Sequence, residues 1–339
     1  MSQDAAVAGA VLTARTERAS QRTDRIVELV QHQGALAVLG LVLVVGLVSF
    51  PGFRSYDNGA TILISAAPPA LIALGMTFVI ISGGIDLSVG SQYVLGGVLA
   101  AWASQYGIWA AFLAPLLVCG AIGLVQGFII AYSRLAPFIV TLAGLLGARG
   151  IMRAISAEGS TTYLVKSPSF KSFGTGDIAG IGEPVYLTVA LFALGMVLLY
   201  RTRYGQAVYA VGGMQDAARL MGIAIRRTQI KAYVLSGLLA GLAGAVNAAR
   251  LGSGVTVLGT GMELDAIAAV VIGGTLLTGG AGTIGGTIAG VLLLQVIQNL
   301  INQIGLVTSA WQTVISGAFI ALVVVAQTYL ARLRRVADD

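Results

Sequence analysis

Charged residues punctuate this chain, and the stretches between them are long and apolar. Lys, Arg, Asp and Glu leave uncharged runs at 29–53, 58–85, 87–133, 135–148, 184–200, 232–249 and 266–331. A charge at the centre of a membrane helix costs about 2.5–3.5 kcal/mol on insertion scales, and ~20 residues are needed to cross, so each run is a candidate span. The 47 residues of 87–133 suffice for two spans joined near Gln105–Gly107. The 66 residues of 266–331 divide near Gly279–Gly282 and Gly305–Ser309 into three. The run 135–148 gives one span, extended past Arg149 and Arg153 toward water, and the remaining runs give one each. The pattern predicts an all-α, polytopic transmembrane helical bundle of about ten spans within 34–331.

Basic residues set its orientation, because cytoplasmic loops collect Lys and Arg. The leader 1–33 carries Arg15, Arg18, Arg22 and Arg25; the segment 201–231 carries five Arg plus Lys231 against Asp216; the tail 332–339 carries Arg332, Arg334 and Arg335. Six predicted spans separate leader from loop and four separate loop from tail. Both numbers are even, so all three basic segments share one side, and both termini are predicted to be cytoplasmic. The segment 157–183 then falls outside, with Glu158, Asp177 and Glu183 against Lys166 and Lys171. No cleavage pattern ends the first apolar run, so the leader is not a secretory signal. An interfacial helix and a disordered basic tail remain equal readings of it.

Composition narrows the chemistry. Only 10% of residues are charged, 57% are hydrophobic, and the mean hydropathy is +0.89, which excludes a soluble enzyme. One histidine, His32, and one cysteine, Cys119, cannot build a His/Cys metal cluster or an internal disulfide. The formal net charge of +6 follows from the membrane topology, so no nucleic-acid partner is inferred. None of the three lysines, Lys166, Lys171 and Lys231, follows a glycine, so the chain has no Walker loop and no cofactor is expected in it. The 46 glycines read as helix packing, notably Gly237, Gly241 and Gly244 on the seventh span and Gly282, Gly286 and Gly290 leading into the ninth.

Two motifs carry more. In Gly83-Gly84-Ile85-Asp86-Leu87-Ser88-Val89-Gly90-Ser91, paired glycines end one helix, and Asp86 is placed to cap a helix starting at Leu87 through the amides of Ser88 or Val89. The same carboxylate is a candidate for direct transport chemistry such as proton carriage. In the basic loop, Gly213-Met214-Gln215-Asp216-Ala217-Ala218-Arg219-Leu220-Met221-Gly222 reads as a short helix. Asp216 and Arg219 suit its polarity and Gly222 terminates it. That helix either docks into a groove on another protein or lies on the membrane surface.

The segments MTFVIISGGIDLSVGS, APFIVTLAGLLGARG, YAVGGMQDAARLMGI, AYVLSGLLAGLAG and ELDAIAAVVIGGTLLTGGAGTIGGTIAG resemble, in order, the permease subunits of bacterial ABC importers for monosaccharides, of the ribose, xylose, arabinose and galactofuranose type. The likeness covers roughly residues 60–330, and Met76–Ser91 with Glu263–Thr283 leans toward the galactofuranose permeases. It implies a multi-pass protein of the bacterial inner membrane and a second permease, as a homodimer or with a paralogue. It also implies a cytoplasmic ATPase that holds the ATP and Mg, and an extracytoplasmic sugar-binding protein. Carried onto this chain, Gly213, Asp216, Ala217, Ala218, Arg219, Leu220 and Gly222 would form the coupling helix. One departure is Met214-Gln215, where the family commonly has Asn followed by Pro or a small residue; helix entry is left less well capped.

A sugar is uncharged and rich in hydroxyls, so its path should offer amides, hydroxyls and aromatic faces and little fixed charge. Asn247, Gln295, Gln298, Asn299 and Asn302 are the path candidates, with Gln295, Gln298 and Asn302 on one helical face; Gln92, Gln126, Thr77 and Thr141 lie on other spans. Amides also join helices to one another in lipid, so each of these has two readings. Arg149 and Arg153 either meet the docked binding protein or snorkel at the interface. The rival function is a proton-coupled secondary transporter using Asp86.

Overall fold

A computed structural model describes residues 35–304 except 134, together with 314, 317 and 318. The leader, the tail and all but 314, 317 and 318 of the expected tenth span lie outside these residues. The order is α1 (Ala35–Ser49), α2 (Tyr56–Ile81), α3 (Val89–Ala103), α4 (Ile108–Ser133), α5 (Pro137–Ile155), α6 (Pro168–Thr175) and α7 (Glu183–Arg201). There follow α8 (Arg203–Gly213), α9 (Gln215–Leu220), α10 (Ile225–Leu251), α11 (Met262–Ile272) and α12 (Ile284–Ile304). Six of these helices, α2, α4, α5, α7, α10 and α12, are long and apolar enough to cross a membrane.

Inner and outer helices differ in what their apolar residues face. Along α3 every residue but Trp102 is buried, and α2 is buried almost continuously from Ala66 to Ile81. By contrast α4, α5 and α7 turn Leu117, Phe138, Leu146, Val189 and Leu194 outward. The centre of the bundle is α10, which packs on α2, α3 and α4. Small residues make that approach possible: a Cβ on Gly241 would stand 2.6 Å from the Pro115 carbonyl oxygen, and one on Gly96 2.6 Å from that of Gly241. Gly237 and Gly244 meet the backbone of Cys119 and Tyr93 still more closely, so the predicted small-residue face is the seam between α10 and its neighbours.

The predicted break at Gln105–Gly107 is present as a 3-10 turn, Ser104–Tyr106, closed by Gly107 at φ +107°. Three boundaries differ from expectation. Helix α10 begins at Ile225, because Arg226, Arg227 and Lys231 extend the span as a helix beyond the apolar run instead of lying in a loop. Helix α11 has 11 residues and ends at Ile272, so it covers about half a crossing at ~1.5 Å per residue. The glycine-rich stretch 273–283 that follows contains Gly282, which therefore belongs to a loop, while Gly286 and Gly290 pack α12 against Gly273 and Ala269.

Among the described residues, departure from an all-α chain is confined to two short antiparallel ribbons. One pairs Tyr163–Leu164 with Ser253–Gly254 and the other pairs Asp177–Ile178 with Ile181–Gly182. The segment 157–183 is thereby folded back on the end of α10, where Gly174 of α6 lies against Ala249, and Phe170 sits in a small core with Ala245 and Ala248.

Candidate functional site

The two ends of α10 carry different chemistry. At its basic end, the loop 82–88 between α2 and α3 folds around Asp86, which is fully buried. Oδ1 of Asp86 accepts the Ser88 amide at 3.0 Å and the Ser88 hydroxyl at 2.5 Å. Oδ2 accepts the hydroxyl of Ser236, on α10, at 2.7 Å. Ser88 Oγ also lies 3.2 Å from Gln126 Oε1 and receives Gln92 Nε2 at 2.7 Å. Capping by Asp86 is thus displaced from the prediction: α3 starts at Val89, two residues late, and the carboxylate ties the α2–α3 break to α10 as well as holding the Ser88 amide.

Gly83 and Gly84 end α2 and bring a second break beside the first. The Gly280 amide donates to the Ile81 carbonyl at 2.9 Å, which pins the stretch 273–283 to the end of α2. Gly212, near the end of α8, sits in the same junction: a Cβ there would overlap the Ile81 oxygen and stand 2.6 Å from the Gly280 nitrogen. Tyr209, one turn earlier, donates to the Gly282 carbonyl at 2.7 Å, and burial pushes its phenol up to about 12. Three backbone segments therefore meet where only glycine fits.

Beyond that junction, α9 is held away from the bundle. Ala218 is its buried contact, and Met214, Leu220 and Met221 are exposed, Leu220 at 90%. Asp216 and Arg219 lie 3.8 Å apart on the surface, which contributes little to stability. Gly222, at φ +76°, closes the helix, with its amide on the Arg219 carbonyl and that of Ile223 on Ala218, both at 3.0 Å. Met214 occupies the N-cap and supplies no side-chain acceptor, as its sequence foretells. Gly213 is the last residue of α8, so it lies outside the short helix in which it was expected.

At the other end of α10, a cavity of ≈240 Å³ opens among α2, α3, α10, α11 and α12. Of the predicted path residues, Asn247, Gln295 and Gln298 line it. Asn299 does not: its amide donates to Asn58 Oδ1 at 2.8 Å, joined there by Gln303 at 3.2 Å, and fastens α12 to α2. Asn302 is exposed and outside the lining. The other polar residues also join elements, Thr77 to Thr287 at 2.8 Å and Thr141 to the Ile85 carbonyl at 3.2 Å. Arg149 donates to Thr260 at 3.2 Å.

Two residues in the cavity wall, Arg250 and Asp265, were missed from the sequence. In the sequence both simply bound uncharged runs, and a path for an uncharged sugar gives no reason to look for fixed charge. Arg250 Nη2 donates to Ser65 at 3.0 Å and Nη1 to the Ile64 carbonyl at 3.4 Å, which aims the guanidinium at α2.

Residues 58–324 match the family described as branched-chain amino acid transport system / permease component. The chain belongs to this permease family. It is 41% identical over 303 residues to the ribose import permease protein RbsC of Escherichia coli (strain K12), covering 87% of this chain and 93% of that one. RbsC of Bacillus subtilis (strain 168) is 41% identical over 290 residues, 84% of this chain and 90% of its own. The fructose import permease protein FruG of Bifidobacterium longum is 33% identical over 312 residues, with 88% and 91% covered. No solved structure matches. This permease is a multi-pass protein of the inner membrane and the membrane component of an ABC import system, not an enzyme.

Proposed function

We propose that this permease moves a monosaccharide into the cytoplasm by alternating access, driven by ATP hydrolysis on a separate subunit and supplied by an extracytoplasmic binding protein. The carrying observation is the junction of Gly212 with Ile81 and Gly280, which joins α8 and the exposed α9 to the breaks in two membrane segments. A push on α9 by an ATPase reaches both breaks directly, without passing through flexible side chains.

In this reading the basic end of α10 is cytoplasmic, the chain spans the membrane about ten times with both termini inside, and a second permease completes the pathway. Residues 157–183 and the ≈240 Å³ cavity then face the outside, where a loaded binding protein docks. Ribose and fructose are the sugars named by the relatives; the leaning toward galactofuranose rests on the resemblance of Met76–Ser91 and Glu263–Thr283. Proton carriage by Asp86 is the weaker reading, because hydrogen bonds occupy both of its oxygens in a fully buried setting.

The test replaces the surface of α9. Converting Leu220 and Met221 together to Asp in the assembled transporter should abolish ATP hydrolysis stimulated by the loaded binding protein while the chain stays in the membrane. Stimulation at the wild-type level would remove α9 as the coupling element.

A further inference from the structure

We propose that the cavity at the far end of α10 is a monosaccharide-binding site built into the permease itself, in which Arg250 and Asp265 recognise separate hydroxyls of one sugar. The proposal rests on the sugar-import reading above and adds to it a site of substrate selection inside the membrane subunit. Its starting point is that two opposite charges line one cavity without pairing. Among the described residues the ion pair formed is Arg219–Asp216, on the surface. Arg250 is drawn toward Ser65 and Ile64, and Asp265, in the first turn of α11, is part of no side-chain hydrogen bond among the described residues.

Location leaves both groups within reach of a solute. Arg250 lies nineteen positions beyond Lys231 on a continuous helix, about 28 Å along the axis at ~1.5 Å per residue, close to the thickness of a bilayer core, so the cavity sits at the opposite end of the spans from the basic loop. Both charges are half-buried in its wall, and the ion pair between them has not formed. The separation keeps both groups available to a third party.

The chemistry of the wall says what that party is. A hydroxyl donates to a carboxylate and its neighbour accepts from a guanidinium, so one polyol satisfies both charges while remaining neutral. Asn247, Gln295 and Gln298 each add a donor and an acceptor, and Tyr93 with Pro68 presents apolar faces to ring C–H groups. At ≈240 Å³ the cavity is below the range of drug-sized pockets, which suits one sugar ring and not a chain of them. An amino-acid zwitterion also matches the two charges. Its polar end engages only those, however, and its side chain would leave the three amides facing an apolar group.

The experiment uses the complete importer in proteoliposomes, with the binding protein saturated in turn by radiolabelled D-ribose, D-fructose or D-galactose, and L-leucine as a separate solute. Saturation removes the binding protein's own selectivity from the comparison. Asp265→Asn and Gln298→Ala are expected to lower sugar moved per ATP about tenfold or more and to narrow the ratio between the preferred sugar and the others. Asp265→Glu is expected to recover part of the loss. Co-purification with the ATPase checks that each variant assembles. Assembled variants that transport with wild-type yield and selectivity overturn the site while leaving the importer reading intact. A wild-type complex that moves L-leucine and none of the sugars overturns the importer reading, and the site with it.

Discussion

Ser236 donates to Asp86 at 2.7 Å, and through that bond the central helix α10 holds the break between α2 and α3. Removing the hydroxyl leaves one carboxylate oxygen buried without its donor. Ser236→Ala should therefore destabilise the detergent-solubilised chain by about 1.5–3 kcal/mol, the range for hydrogen bonds to charged groups. Thermal unfolding of wild type and variant side by side measures it.

Two adjacent glycines should respond very differently to one methyl group. A Cβ on Gly212 overlaps the Ile81 carbonyl oxygen, whereas one on Gly213 finds its nearest neighbour, the Cα of Gly280, at 3.9 Å. Gly212→Ala is expected to separate ATP hydrolysis from uptake or to block assembly, and Gly213→Ala to leave sugar uptake within about twofold of wild type. Uptake and hydrolysis assayed on the same vesicles decide this.

Leu220 is the most exposed large hydrophobic residue of α9 and makes no contribution to the bundle core. Leu220→Asp should leave thermal stability unchanged to within about 0.5 kcal/mol, as for surface substitutions generally, and should abolish capture of the cognate ATPase. Pull-down from mixed purified components reads the binding and a melting curve reads the stability.

Asn58 receives both Asn299 and Gln303, so it fastens α2 to α12. Asn58→Leu should weaken that contact and lower stability by about 1–3 kcal/mol, because the Asn299 amide loses its acceptor and Gln303 keeps only its bond to Asn299. It should leave sugar selectivity unchanged, since Asn58 does not line the cavity. A change in selectivity would return Asn299 to the path.

What could be read from the sequence followed from features whose physics is local. The turn at Gln105–Gly107, the bond from the Ser88 amide to Asp86, the short helix before Gly222 and the small-residue face of α10 each depend on neighbours a few positions away. Charge as a boundary marker worked less well at the ends of α10. Arg226 and Arg227 belong to the helix they were expected to precede, and Arg250 belongs to the cavity wall. The short α11 was hidden because no charge separates Ile272 from the glycine-rich stretch that follows, and only packing against α12 reveals where the helix stops. Amides were ambiguous in principle: Gln298 and Asn299 are sequence neighbours, yet one lines a cavity and the other joins two helices.

The proposed function makes this permease a gate moved by another subunit's ATP. Its most direct test is solute accumulation in liposomes containing either the isolated chain or the chain with its ATPase and loaded binding protein. Uphill sugar uptake is expected only in the second preparation, dependent on ATP on the ATPase side and indifferent to an uncoupler. Accumulation by the isolated chain under a pH difference, lost in Asp86→Asn, would contradict it.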